Sequence, residues 1–209
     1  EAMFEADDNK LMINDIHPTR QYSAYGIGPG IGTADNTLNA IDTFIRSAKT
    51  PLVIDADALN CIARRPELLN HIPMLSVLTP HDGEFDRLFG EHTTHEARLK
   101  KALEVSKYYN LLILLKGHYT ALVRPDGKVY FNSTGSPAMA TPGSGDVLTG
   151  ILTSLIGQGY KPEVASIMAA FIHGLAGEMA AKINGDYGVT ASDIADCTGK
   201  AIMETMQQS

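Results

Sequence analysis

The stretch Leu111-Leu112-Ile113-Leu114-Leu115-Lys116 is aliphatic at every position until its final lysine. A half-buried strand alternates apolar and polar residues, and an amphipathic helix repeats near 3.6 residues. This run does neither. It has the length of a strand and is apolar on both faces, as strands buried on both sides of a parallel sheet are. A lysine at the end of such a strand must find a charge partner or a phosphate.

Upstream, LSVLT (75–79), PLVID (51–55) and YSAYGIG (22–28) repeat the theme of short apolar strands. Helical patterns separate them. Residues 34–48 place Leu38, Ile41, Ile45 and Ala48 on one face, and 58–64, 83–89 and 94–109 read as further helical segments. Downstream the rhythm changes. YTALVR and VYFNS form a hairpin turned at Asp126-Gly127, and helices follow over 147–155, 162–183 and 192–206. The fold class is α/β, with a mostly parallel central sheet, an antiparallel hairpin and helices on both faces. Ligands in such folds bind beyond the carboxyl ends of the strands. The loops to search are therefore 28–32, 55–60, 79–84, 116–120 and the glycine-rich stretch 139–150.

The chain has 209 residues and a formal net charge of −7. That length suits one α/β domain. The acidic balance argues against a nucleic-acid partner, which needs a basic face. No apolar run approaches the roughly 20 residues of a membrane span, so no membrane partner is expected. Cys61 and Cys197 lie far apart, outside any CxxC pattern, and read as reduced core thiols of a cytoplasmic protein. The sequence begins at Glu1 rather than Met, which reads as a fragment.

Met139 to Gly150, MATPGSGDVLTG, precedes an apolar helix. Gly143 and Gly145 free the backbone to turn tightly, so that N–H groups can converge on an anion at the helix start. Asp146 could then take a proton from a hydroxyl while the backbone holds a phosphoryl group. A plain N-cap explains the segment about as well. No GKS or GKT follows the glycines, so it is not a Walker A loop, and GIGPGIGT (26–33) does not fit GxGxxG. Asp55 and Asp57 follow a buried strand and could hold Mg²⁺ through water, although Asp57 reads equally well as a helix cap. His81 and Glu84 share the next loop, and either could be structural. His92 and His95 do not make HExxH and read as surface residues. Asn184, Gly185 and Gly188 form a late loop able to flank the site.

In order along the chain, GPGIG (28–32), DADALN (55–60), TPHDGE (79–84), KGHYT (116–120) and GSGDVLTG (143–150) resemble one pattern. It is that of the ADP/ATP-dependent NAD(P)H-hydrate dehydratases, repair enzymes of the ribokinase-like superfamily. The resemblance runs from about Ala24 to the C-terminus. It implies a ribokinase-like three-layer α/β/α fold over residues 1–209, lacking its N-terminal portion. It implies restoration of NAD(P)H from the S-epimer of its hydrate, NADHX or NADPHX, with ADP or ATP as co-substrate and Mg²⁺. By the same resemblance Asp146 is the general base and meets the substrate hydroxyl. Gly143, Ser144 and Gly145 hold the transferring phosphate. Lys116, Gly117, His118, Tyr119 and Thr120 form part of the adenine nucleotide site. Gly30 and His81 contact the hydrated dinucleotide, and Asp55, Asn60 and Glu84 are weaker candidates for substrate or Mg²⁺ contacts. No residue is assigned as a dedicated metal ligand. A homo-oligomer is expected, as is an epimerase domain fused upstream.

The chain departs from the family pattern at Pro142, which lacks an N–H beside the anion hole, and at Asp82, where the family usually has proline. By the resemblance, strands that usually precede the GPGxG loop, one of which contributes to the substrate site, are expected to lie outside this sequence. Two other readings share GSGD: a vitamin-precursor kinase acting on a hydroxymethylpyrimidine or hydroxyethylthiazole, and an inactive nucleotide-binding module.

Overall fold

The structure is a computed structural model and describes residues 13–16 and 21–207. The opening stretch of the chain, apart from 13–16, lies outside the described residues. Six strands form one sheet in sequence order: β1 (Tyr25–Ile27), β2 (Leu52–Ile54), β3 (Val77–Leu78), β4 (Leu112–Leu115), β5 (Ala121–Val123) and β6 (Val129–Phe131). The first four are parallel, and β4, β5 and β6 pair antiparallel. Ile27, Ile54, Leu78 and Ile113 stand in register across the parallel strands. Their carboxyl ends therefore deliver four loops to one edge of the sheet, the arrangement expected from the strand pattern.

The period of two assigns side chains to faces. Leu52, Ile54 and Leu78 pack on α1 (Asp35–Ser47), α2 (Ala56–Arg64) and a 3-10 helix, Pro66–His71. Ile113, Leu115 and Val123 face the same way onto α3 (Asp82–Phe89) and α4 (His95–Tyr109). Val53, Val77, Leu112, Leu114 and Leu122 point to the opposite layer, formed by α5 (Ser144–Gly157) and α6 (Pro162–Asn184). Helix α7 (Ala191–Gln207) packs outside α6 through Ile194, Cys197 and Ala201. All four residues of β4 are buried, which is why LLILLK shows no alternation. This is the expected three-layer α/β/α architecture.

Helix α6 corrects one expectation. It is long and apolar enough, by length and composition, to cross a membrane. Half of that window is buried inside the fold, where small residues such as Ala169, Ala176 and Ala180 let α5 and α7 approach closely. Its apolar character therefore has an explanation in the core. Both cysteines are buried and free.

Candidate active site

Lys116 emerges from β4 and turns to Asp55 at the end of β2. Its Nζ lies 2.7 Å from Asp55 Oδ1 and 3.9 Å from Glu84 Oε2. Asp55 is 1% exposed. Its Oδ1 also accepts from the Ala56 N–H, and its Oδ2 accepts from the Thr149 hydroxyl of α5 at 2.8 Å. Both oxygens are thus engaged. A buried carboxylate needs such partners to remain charged. Asp55, a weaker candidate for substrate or Mg²⁺ contact, stands behind Lys116 and holds it in place.

The backbone around Asp55 is tightly specified. Gly28 has φ +128°, and a Cβ there would stand 1.7 Å from the Asp55 carbonyl oxygen, so no other residue fits. Ala56 occupies the left-handed region at φ 47°. Asp55 caps α2, so the capping role considered for Asp57 belongs to its neighbour. Asp57 reaches back across the edge, and its Oδ2 accepts from the Gly32 N–H. Asn60 lies further out, between Asp57 and Arg87. Gly30 has φ +67° and open space where its Cβ would project.

His81 sits beside Lys116 as an isolated bridge of the sheet. Its Nδ1 accepts from the N–H groups of Gly83 and Glu84, so the ring proton is on Nε2. Glu84 Oε2 accepts in return from the His81 N–H, which completes a capping box. His81 therefore caps α3, and its half-exposed ring turns Nε2 to Glu84 Oε1 at 3.3 Å.

The glycine-rich stretch forms the opposite wall. Helix α5 begins at Ser144, three residues earlier than expected, with Gly143 as its N-cap at φ +86° and no side-chain cap. This disposes of the plain-cap reading: Ser144 and Asp146 lie within the first helical turn. The Ser144, Asp146 and Val147 N–H groups bond to the carbonyls of Thr141 and Gly143. Gly145 N–H has no such partner among the described residues. A Cβ on Gly145 would stand 3.2 Å from Lys116 Nζ. The turn thus brings a free N–H, a helix N-terminus and an ammonium to one point, a combination suited to an anion. Asp146 is exposed on the same turn.

Within residues 116–120 the stretch 117–119 is exposed, and the His118 and Tyr119 rings meet edge to face at 4.4 Å. The Thr120 hydroxyl reaches back to the Gly117 carbonyl. The late loop does flank the turn. Asp186, Tyr187 and Val189, with Ala140, Thr141 and Pro142, line a concavity of about 450 Å³.

One histidine reading changes. His95 is exposed, but His92 is largely buried, bonded to Asp86 and stacked on Phe85. Arg98 makes two bonds to Asp86, and this pairing holds the Asp86 carboxyl down to about 2. Asp82 joins the cluster, its Oδ2 3.1 Å from Arg98, so the departure from proline there ties α3 to α4. Sequence reasoning missed His173, on α6 and in none of the motifs. Its Nε2 lies 2.9 Å from the Ser144 carbonyl oxygen and 3.3 Å from the Ser144 hydroxyl. Burial, assisted by the nearby Lys116 charge, lowers its pKa to about 4 despite the Ser144 bond. Only its place in an apolar helix, among Phe171, Ile172 and Leu175, hinted at burial.

A family model described as NAD(P)H-hydrate dehydratase matches residues 2–200. The chain belongs to the NAD(P)H-hydrate dehydratase family. It is 44% identical over 174 residues to a bifunctional NAD(P)H-hydrate repair enzyme of Moorella thermoacetica, covering 81% of this chain and 32% of the relative. It is 34% identical over 204 residues to the ADP-dependent (S)-NAD(P)H-hydrate dehydratase of Neisseria meningitidis, covering 93% and 66%. The structure superposes on the Bacillus subtilis ADP/ATP-dependent NAD(P)H-hydrate dehydratase co-crystallized with ATP/Mg²⁺. The TM-score is 0.78 at 28% identity, over 91% of this chain and 68% of that one. The chain spans about a third of the length of the bifunctional relatives it matches.

Proposed function

We propose that this chain dehydrates the S-epimer of NAD(P)H hydrate back to NAD(P)H at the expense of ADP or ATP. Family membership supports the reaction. The observation that carries the assignment of parts is the meeting of Lys116, the free Gly145 N–H and Asp146 at the start of α5. Hydroxide is a poor leaving group from the hydrate ring, and phosphorylation of the ring hydroxyl replaces it with phosphate, a better one. Asp146 takes the hydroxyl proton as the oxygen attacks the terminal phosphorus of the nucleotide and the bond to the remaining nucleotide breaks. Lys116, Gly145 N–H and the helix dipole stabilise the charge on the transferring group. The ring C–O bond then breaks, its electron pair leaving with phosphate. Loss of a proton from the adjacent carbon restores the double bond.

Gly30 and the half-exposed ring of His81 serve the hydrated dinucleotide, together with Asn60 and Glu84. The 116–120 loop serves the nucleotide. The donor set fits Mg²⁺ only as a nucleotide complex. No group of three or more His, Cys, Asp or Glu could hold an ion among the described residues, and Mg²⁺ commonly relies on substrate phosphates. We extend the proposal to a homo-oligomeric cytoplasmic protein working beside an epimerase domain, a reading that the bifunctional names of the relatives support. A vitamin-precursor kinase explains GSGD but not the family match, and an inactive module would bind nucleotide without turnover.

The test is absorbance at 340 nm after mixing NADHX, Mg²⁺ and ADP or ATP with this chain and with the full-length protein. A nucleotide-dependent rise is expected, and the effective nucleotide identifies the donor. No rise with either protein refutes the proposal.

A further inference from the structure

His173 lies outside every motif, yet it is a partly buried titratable group that touches the glycine-rich turn. A carbonyl oxygen can only accept, so the 2.9 Å contact with Ser144 O requires the proton on His173 Nε2. The same Nε2–H then leaves the Ser144 hydroxyl oxygen, at 3.3 Å, only an accepting role. The hydroxyl's own proton is not consumed by the imidazole, and Ser144 Oγ has no other partner among the described residues.

The frame that carries His173 also holds the approach to the turn. Asn132 donates to the Ala170 carbonyl and Thr134 to the Phe171 carbonyl, while the Gly135 N–H donates to Glu178. Gly174 and Gly177 admit Thr134 and Met139 so closely that a Cβ at either would lie 2.2 Å from them. One face of α6 thus fixes the segment entering the turn and, through His173, the first residue of α5.

We infer that His173 is a positioning residue of the phosphate site, whose Nε2–H locks Ser144 so that the serine hydroxyl proton is presented to the bound anion alongside Gly145 N–H. A neutral imidazole suits this role, because an imidazolium would crowd Lys116 with a second cation. Burial keeps it neutral. The identity of the anion, a nucleotide phosphate, rests on the dehydratase reading.

The experiment uses the whole chain with His173→Leu, His173→Gln, Ser144→Ala and the double variant His173→Leu/Ser144→Ala. Long-range ¹H–¹⁵N correlation spectra of wild type should show the Nε2–H tautomer. Calorimetric titration with Mg·ADP should show roughly tenfold weaker binding for His173→Leu, the scale of one lost hydrogen bond. Gln, whose amide can donate in place of Nε2–H, should recover most of it. The losses of His173→Leu and Ser144→Ala should be strongly non-additive. An Nδ1–H tautomer overturns the inference, as does a His173→Leu protein that melts earlier yet binds ADP as tightly as wild type. If wild type bound no ADP, the nucleotide reading would fall, and the tautomer would still decide whether His173 holds Ser144.

Discussion

The buried, neutral His173 makes a quantitative statement about stability against pH. Its pKa falls from an ordinary 6.5 to about 4 on folding, chiefly because burial disfavours the imidazolium. Between these values the unfolded chain binds a proton that the folded chain does not, so stability rises with pH across the window and is lost as pH falls. At about 1.36 kcal/mol per pH unit, the loss reaches about 3 kcal/mol below pH 4, of which about 2 kcal/mol appears between pH 7 and pH 5. For a domain of this size about 2 kcal/mol lowers Tm by roughly 4–8 °C. Carboxylates titrate in the same range, so the comparison protein is His173→Leu. Urea unfolding of both at pH 7 and pH 5 isolates the histidine. Wild type should lose about 2 kcal/mol more than the variant on acidification. Equal losses would show that His173 protonates in the folded state, and the reasoning from its burial would be refuted.

Asp146→Asn should abolish turnover in the 340 nm assay while leaving Mg·ADP affinity within about threefold, since the exposed carboxylate makes no bond that supports the turn. A parallel loss of ADP binding would remove it from the role of base. Lys116→Ala should weaken ADP at least tenfold, the scale of a charge-assisted hydrogen bond, and affect the hydrate less. Unchanged ADP affinity by calorimetry would confine Lys116 to its ion pair with Asp55. Gly28→Ala should destabilise the fold by about 3 kcal/mol or more, because the new methyl meets the Asp55 carbonyl in a left-handed backbone. A melting temperature equal to wild type would contradict the packing described for that loop.

Sequence and structure part company at identifiable places. Each strand and major helix was legible, because period-two and 3.6-residue patterns are local and the turns carry Gly, Pro or Asp. The two 3-10 helices, Pro66–His71 and Pro137–Met139, were not: segments so short show no period. The start of α5 was placed late because Ser144 and Asp146 read as capping residues, whereas Gly143 takes the cap with its positive φ. His92 looked like a surface histidine because its partners, Asp86 and Arg98, lie six residues away on either side, and only the packing of α3 against α4 brings them together.

By itself the sequence determined the α/β architecture, the edge of the sheet that bears the site, and the five loops that mark the family. These depend on local periodicity and on chain order, which a linear string preserves. Tertiary structure alone decided which polar residues meet one another at that edge and which stand behind them. Lys116 meets Asp55 across 61 residues, Thr149 meets Asp55 across 94, and His173 meets Ser144 across 29. A polar side chain carries the same letter whether its partner is solvent, a ligand or another side chain. The packing of the sheet between its two helix layers withdrew Asp55 from solvent, turned Lys116 toward the glycine-rich turn, and set His173 against the serine that begins α5.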